Sequence, residues 1–597
     1  MRHAVTRNPR HAAMALIIAA AGAPAGAQTI WRVDLDATGA ATGLSWDDAF
    51  TDLHAALAAA AAGDEIWVAA GLYTPSDYDA TVSFMMASGV GLYGGFAGDE
   101  MARDERDPAL HETILSGDIG RDDIVGSGPG WYVSWERGTP NSGHVIDASG
   151  AGPGTVIDGF TLADGATGPA GTPAGSSLMA GGGIYCALGT ITVRNCVFRH
   201  HLAAFAHGGG MYLYDASATI EACQFLENYA HLGNGAGLAV YGDSEVTVTG
   251  SVFARNIAVH GSGGGEGHGA GAAIQRALSA VIEDCVFDQN TSKYFYAVGG
   301  LEPLYGGGLH CFLSPLTVRN SAFTRNTAAA GGGAYVFGSA SFEGCLFAGN
   351  TARAQPNDPY PELGGFAGGL GATATTGHTL ETFNCTIEGN TAKKYGGLYT
   401  SGALVVENAV IWGNTATDPD FVGYWAAQVS STFDTIGYSC VQDLFGPKKA
   451  GEDPLEPEKR PGCIESDPQF AGPVDPADPA TYALAPGSPC IDAARNSMVP
   501  AGLVVDLAGM ARFADDPATP DTGVGAAPIV DMGALEFHPD VACRVDLDGD
   551  GALTIFDFLE FQNLFAVGDL RADFTGDGVL DFFDFLAFQN EFAAGCP

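Results

Sequence analysis

Between residues 180 and 417 the chain alternates apolar and polar residues with period two in short runs, ITVRNCVF, ATIEACQF, EVTVTGSVF and LTVRNSAF. That spacing belongs to half-buried β-strands, not to helices. Each run sits in one repeating unit: a Gly-Gly-apolar motif, a β-rich run, then F-x-x-N. Eight units follow one another, GGGIY to FRHH, GGGMY to FLEN, GAGLA to FARN, GAGAA to FDQN, GGGLH to FTRN, GGGAY to FAGN, AGGLG to IEGN and GGLY to IWGN, with a minimum period of 24 residues. A unit this short cannot bury its inner face alone, so the units are expected to stack in register, each giving two or three strands and turns of an all-β parallel β-helix.

In-register stacking sets equivalent residues about 4.8 Å apart, and three kinds of column follow. Asn228, Asn256, Asn290, Asn326, Asn350, Asn390 and Asn414 should form one ladder of turn asparagines. Val193, Ile220, Val248, Ile282, Val318 and Val406 should point inward, beside an outward column Arg194, Glu221, Thr249, Glu283, Arg319, Glu343 in which neighbouring rungs pair opposite charges. Cys196, Cys223, Cys285, Cys345 and Cys385 each precede an inward Phe or Ile by two positions and read as free buried thiols, while Cys186 and Cys311 share a second column.

The flanks read as follows. Arg2, Arg7 and Arg10, the apolar run AAMALIIAAAGA and the Ala25-Gly26-Ala27 site make residues 1–27 an export signal, with no later run of about 18 apolar residues to span a bilayer. Residues 28–165 should hold an N-terminal cap and the first rungs, the cap being one helix over 45–63 with Ser45 as N-cap, Asp48 in the capping-box position and Gly63 as C-cap. Its Phe50, Leu53 and Leu57 would cover the open end of the solenoid. Residues 166–440 form the repeat body and 441–540 a closing segment and linker, whose Pro-rich stretches around 446–480 and 514–528 read as loops.

Residues 541–597 carry the plainest chemistry. DLDGDGALTIFD recurs as DFTGDGVLDFFD, and each copy runs into nearly the same helix, FLEFQNLFA and FLAFQNEFA. Each twelve-residue loop sets oxygens at positions 1, 3, 5, 7, 9 and 12 around one hard cation. The first loop offers Asp546, Asp548, Asp550, the Ala552 carbonyl, Thr554 and Asp557; the second offers Asp573, Thr575, Asp577, the Val579 carbonyl, Asp581 and Asp584. Thr575 in place of Asp or Asn makes the second site the weaker. Asp at position 12 and one helix per loop resemble a dockerin, and Cys543 with the closing Gly595-Cys596 resembles its GC type. The resemblance implies two bound calcium ions, a Cys543–Cys596 disulfide closing the module, and a cohesin-like or other cell-surface docking partner met by Ile555, Phe556, Phe582 and Phe583. The repeats are similar to those of chlamydial polymorphic outer-membrane proteins, which implies a right-handed, pectin-lyase-like solenoid acting as an adhesin or surface protein.

Composition narrows the partners. Against 26 Lys and Arg stand 69 Asp and Glu, a formal net charge of −43, which repels nucleic acid and, unless calcium bridges the like charges, acidic polysaccharides. Of the remaining cysteines, Cys440 with Cys463 is the next plausible bridge, with Cys490 left open.

Catalysis finds little footing. Asp118, Asp122 and Asp123 with Arg121 form the best acidic cluster, and such a loop is expected to be a solvated turn. His207 and His268 share a column with Asn234 between them, about 9.6 Å apart and too far to share a metal at about 2.1 Å each. His200, His201 and His207 read as surface-loop residues. Insertions enter almost only between F-x-x-N and the next Gly motif, which builds one loop-covered face carrying Tyr294, Phe295, Tyr296 and Tyr360. The expected protein is thus an exported, non-catalytic β-helix that binds a polysaccharide or surface protein there, with calcium controlling the tail alone; a polysaccharide lyase or glycoside hydrolase is the alternative.

Overall fold

The computed structural model describes residues 28–125, 135–136, 141–167, 180–204, 207–260, 267–294, 303–353, 365–373, 377–418, 427–430, 433–447, 460–539, 545, 547, 553–575, 579–580 and 582–594. Among them, four sheets of 13, 12, 9 and 11 strands run side by side, each ordered rung by rung along the chain. One rung shows the plan: Ile184–Ala187 joins the 11-stranded sheet, Thr190–Arg194 the 13-stranded, Val197–Arg199 the 12-stranded and Leu202–Ala204 the 9-stranded. A unit therefore supplies four short strands rather than two or three. Successive rungs pair in parallel, as in Ile220↔Val248, Phe225↔Phe253 and Leu213↔Val240.

The columns fall where the alternation put them. Val193, Ile220, Val248, Ile282, Val318 and Val406 are all buried, and Phe342 fills the same position on the rung after Val318. The Phe of F-x-x-N builds an inner stack, with Phe225, Phe253, Phe287 and Phe323 spaced 4.7 Å between ring centroids and within 3° of parallel. The asparagine ladder forms as expected, each Nδ2 donating to the next Oδ1 at 2.9–3.0 Å from Asn228 to Asn414. His201 precedes it, its amide donating to Asn228 Oδ1, and Gln428 follows it, accepting from Asn414. His201 is therefore a fully buried ladder residue and not a surface one.

On the outward column Arg319 bridges Glu283 at 2.7 Å and Glu343 at 2.6 Å, whereas Arg194 turns back to Asp158 at 2.7 Å. The five column cysteines are buried free thiols; Ser251 and Ser321 take that place on the rungs flanking Cys285. Burial pushes the Cys285 thiol up to about 12. The turn before that column needs left-handed backbone, which Asn195, Asp284 and Asn408 adopt at φ 52°, 52° and 59° and Gly250 and Gly344 adopt at 59° and 65°.

The N-terminal helix is shorter than its sequence suggests. Helix α1 spans Leu53–Ala59 with Asp52, not Ser45, as N-cap, and ends on Ala60, not Gly63. Residues 43–50 pair with the first strand instead: Arg32 N donates to Gly43 O at 2.8 Å and Phe50 N to Arg32 O at 2.9 Å. Leu53, Ala56 and Leu57 still join the main core.

The closing segment also departs from expectation. Residues 460–538 pack along the outer face of the 12-stranded sheet, where Tyr482 and Leu535 cover Ala322, Leu346 and Ala348, and Ile491, Val530 and Met532 cover Val410 and Cys440. Hydrogen bonds reach the solenoid from Gly533 N to Asn408 O at 2.8 Å and from Ala534 N to Thr386 Oγ1 at 3.0 Å. Much of what reads as linker is thus a packed strap. Cys440 and Cys490 share its core, and Cys440 Sγ donates to Ser466 O at 3.1 Å. Cys463 Sγ donates to Ile436 O instead, so the bridge read between Cys440 and Cys463 is not formed, and all three cysteines are free.

At the C-terminus α2 (Ile555–Val567) and α3 (Phe582–Ala594) pack through Val545, Phe561, Leu564, Ala572, Phe574 and Phe588. Among the described residues no helix is long and apolar enough to cross a membrane.

Candidate functional site

Three places bring chemistry-bearing side chains together. The first is the acidic turn after strand Thr113–Ser116. Asp118 is buried there and accepts the backbone amides of Asp122 at 3.2 Å and Asp123 at 3.1 Å, while Asp123 accepts from Asn141 Nδ2 at 2.6 Å. Oxygens of the three carboxylates lie within 4.8 Å of one another, closer than the roughly 5–9.5 Å between a glycosidase's acid and its partner. Asp118 holds the turn through its neighbours' amides, and Arg121 stands exposed at a left-handed φ of 52° with no ion pair among the described residues. The geometry fits a structural turn able to attract a cation, not an acid–base pair.

The second place is the outer surface of the 11-stranded sheet beside the insertion corner. Tyr185, Tyr212, Ala239, Ala273, His310, Tyr335, Gly371 and Tyr399 stand in one register column. Corner residues pack against it: His144 stacks on Tyr185 at 4.9 Å between centroids, His207 on Tyr212 at 6.3 Å and Tyr395 on Tyr399 at 4.6 Å, while His268 meets His310 at 4.8 Å and Tyr305 meets Tyr335 at 4.5 Å with tilted rings, and Tyr241 of the next column lies 4.5 Å from His207. Tyr185, Tyr212, Tyr241 and Tyr399 are half-buried, Tyr214 exposes 45% of its surface, and His310 and Tyr335 lie deep. Burial and the neighbouring His268 hold His310 well below the ordinary imidazole range. Burial pushes the Tyr335 phenol up to about 12.

This stripe escaped the sequence reading, which looked for aromatics inside the insertions. Tyr294 is 7% exposed and packs with Leu304 and Ala329, so it supports the solenoid and does not face a ligand; Phe295, Tyr296 and Tyr360 lie outside the described residues. The signal was present in the motif itself. GGGIY, GGGMY, GGGLH, GGGAY and GGLY each end on an aromatic or His one position after an inward residue, which period two sends outward. His207, Asn234 and His268 do form one column, with Asn234 N donating to His207 Nδ1 at 3.0 Å and His268 N to Asn234 Oδ1 at 2.7 Å, so the histidines are spacers of the corner. His200 faces Asp164 at 3.7 Å and Glu227 at 3.5 Å, away from the buried His201.

The third place is the duplicated loop. Asp557 and Asp584 are fully buried at the starts of α2 and α3; Asp557 accepts the Thr554 amide at 2.7 Å and Asp584 the Thr575 amide at 2.9 Å. The Thr575 hydroxyl donates to Asp584 at 2.9 Å and to Asp573 at 3.3 Å, which gathers positions 1, 3 and 12 of the second loop. That oxygen-only convergence fits a hard cation. Asp546, Asp548, Asp550, Ala552, Asp577, Asp581, Cys543 and Cys596 lie outside the described residues, as do the side chains of Ile555 and Phe556. Phe582 and Phe583 stand 64% and 63% exposed. Beside them Phe561, Gln562, Phe565, Phe582 and Phe585 line an open apolar groove of about 460 Å³.

With the fold in view, residues 182–356 match the family described as right handed beta helix region, and together with the parallel sheets this makes the chain a right-handed parallel β-helix. No curated protein matches it. Solved structures similar to it include pectate lyase Pel9A, at 12% identity over 86% of this chain and 97% of that one with a TM-score of 0.36. A rhamnogalacturonan lyase follows at 11% identity, 81% and 99% coverage and a TM-score of 0.26. The A-module of mannuronan C-5 epimerase AlgE4 from Azotobacter vinelandii gives 12%, 59% and 88%, with a TM-score of 0.20. These figures are too low to carry an activity across to this chain.

Proposed function

We propose that this protein is an exported, non-catalytic β-helix that binds neutral polysaccharide along the aromatic stripe of its 11-stranded sheet and is held at the cell exterior by a calcium-loaded, dockerin-like tail. The stripe carries the reading: half-buried tyrosines on successive rungs, ring packed on ring, form a continuous, partly exposed aromatic surface on a rigid sheet, which suits contact with sugar rings. The net charge of −43 favours an uncharged chain over an acidic one. In the tail the buried Asp557 and Asp584 accept the Thr554 and Thr575 amides of segments whose sequence is rich in oxygen ligands, and the exposed Phe582 and Phe583 offer a partner an apolar anchor. Helix α1 serves as the lid of the first rung, shielding its unpaired edge.

The stripe is tested by replacing Tyr185 and Tyr212 with Ser in the chain from Gln28 and measuring retention on insoluble neutral glycans. Retention should fall roughly 5- to 150-fold, since two aromatic contacts of roughly 0.5–1.5 kcal/mol each are lost. Retention unchanged in that variant, or bound only to protein ligands, would remove the stripe from the site.

A further inference from the structure

The strap holds a fourth cluster that the tail and the stripe do not use. Asp492, Asp515 and Asp521 each place a carboxylate oxygen within 4.8 Å of the others. Asp492 is 0% exposed, and neither of its carboxylate oxygens has a hydrogen-bond partner in good geometry, the Asp516 amide offsetting only part of the burial that raises its carboxyl to about 6. A buried carboxylate left without a partner costs several kcal/mol, so such groups are paired or coordinate a metal. No Lys or Arg forms an ion pair with any of the three among the described residues. The backbone fixes the arrangement: Asp492 N donates to Asp531 Oδ1 at 2.7 Å, and Asp492 O accepts from Thr522 N and Gly523 N at 2.9 Å each. Asp516 holds the other end of the loop, accepting Ala518 N at 3.0 Å and Thr519 Oγ1 at 2.6 Å.

We propose that Asp492, Asp515 and Asp521 bind one calcium ion, which fastens the 513–523 loop to the part of the strap packed on the solenoid. Oxygens within 4.8 Å of one another suit a shared cation at about 2.3–2.6 Å. No nitrogen or sulfur ligand belongs to the cluster, which selects a hard cation over zinc or copper. Asp515 and Asp521 are exposed, leaving room for the waters that complete six to eight ligands. Magnesium, which demands near-ideal octahedral geometry, fits an open loop less well. The site gives the flank of the solenoid a calcium dependence separate from that of the tail.

The test compares two forms of the full chain from Gln28, both carrying Asp557→Asn and Asp584→Asn to weaken the tail loops, one of them also carrying Asp515→Asn and Asp521→Asn. Both added positions are exposed, so folding is spared. Calcium bound per chain is measured by equilibrium dialysis, together with the rate of chymotrypsin cleavage after Phe513, which is 41% exposed. The first form is expected to hold one more calcium than the second, with an affinity on the order of 10⁻⁴ M or tighter, and to be protected by calcium but not by magnesium. Equal binding and equal cleavage in the two forms would overturn the site, whatever the tail loops themselves bind.

Discussion

The side chain of Asn290 is fully buried and meets four partners. Nδ2 donates to Phe253 O at 2.8 Å and Asn326 Oδ1 at 3.0 Å, while Oδ1 accepts from Asn256 N at 3.0 Å and Asn256 Nδ2 at 2.9 Å. Leucine there would take the side-chain partner from two donors of Asn256 and from the Phe253 carbonyl, at about 1–3 kcal/mol each before relaxation, while Asn326 Oδ1 would keep the Asn290 backbone amide at 2.9 Å. Asn290→Leu is therefore expected to lower solenoid stability by at least about 2 kcal/mol, read as a shift of the urea midpoint of β-type circular dichroism. Acid sensitivity also has named sources. Burial alone would raise Asp158, yet Arg106 and Asn195 with Arg194 outweigh it and hold it below the usual carboxylate range. A carboxylate so depressed stabilises the fold above its unfolded value of about 3.9 and loses that contribution as pH falls below this and through the lower folded value. His310 acts higher: its folded value lies well below the unfolded value of about 6.5, so stability is full above that value and erodes as pH falls below it. His310→Phe should flatten the melting-temperature profile between pH 6.5 and the carboxylate range; an unchanged profile would clear His310 of the role.

At the scale of elements, periodicity was the readable signal and irregular tertiary bonding was not. Alternation and F-x-x-N located the strands, the inner Phe stack and the asparagine ladder because a stacked rung repeats the same requirement at the same place. The 45–63 stretch has good helical composition, but its first half pairs with Ile30–Val33, and local propensity yields to those backbone bonds. Asp52→Ala should cost about 1 kcal/mol through loss of the cap, whereas Ser45→Ala should leave helix content unchanged. The strap was unreadable for a different reason: it has no period, and a buried polar network stands beside its apolar contacts. Arg512, fully buried, donates to Asp531 O at 2.9 Å and Gly533 O at 2.8 Å and pairs with Glu536 at 3.3 Å, while burial raises both the Asp531 and Glu536 carboxyls. Removing one partner of such a pair strands the other, at about 3–5 kcal/mol. Arg512→Ala should release the strap to proteolysis while the rungs keep their β-type dichroism; loss of both together would mean the strap is part of one cooperative unit with them.

Over the whole molecule, the solenoid gives length and rigidity, the stripe a face, and the tail a pair of acidic loops. The tail's candidate ligands stand out in the sequence because both loops are written contiguously, one residue after another. The sequence concealed the strap cluster, since Asp492 and Asp521 meet only after the chain has doubled back, and it showed the stripe's outward aromatics without their joining across rungs, as Tyr185 joins Tyr212. Chelation should unwind α2 and α3 and loosen the 513–523 loop while the four sheets persist, because the core of the rungs is apolar and ladder-bonded; collapse of the β signal on adding chelator would place calcium inside the solenoid instead. The function itself is tested most directly by incubating the chain from Gln28 with a panel of neutral and acidic glycans and scoring retention and chain cleavage in the same samples. Retention on neutral glycans with no new chain ends is expected, and new unsaturated or reducing ends would instead make the protein a lyase or hydrolase.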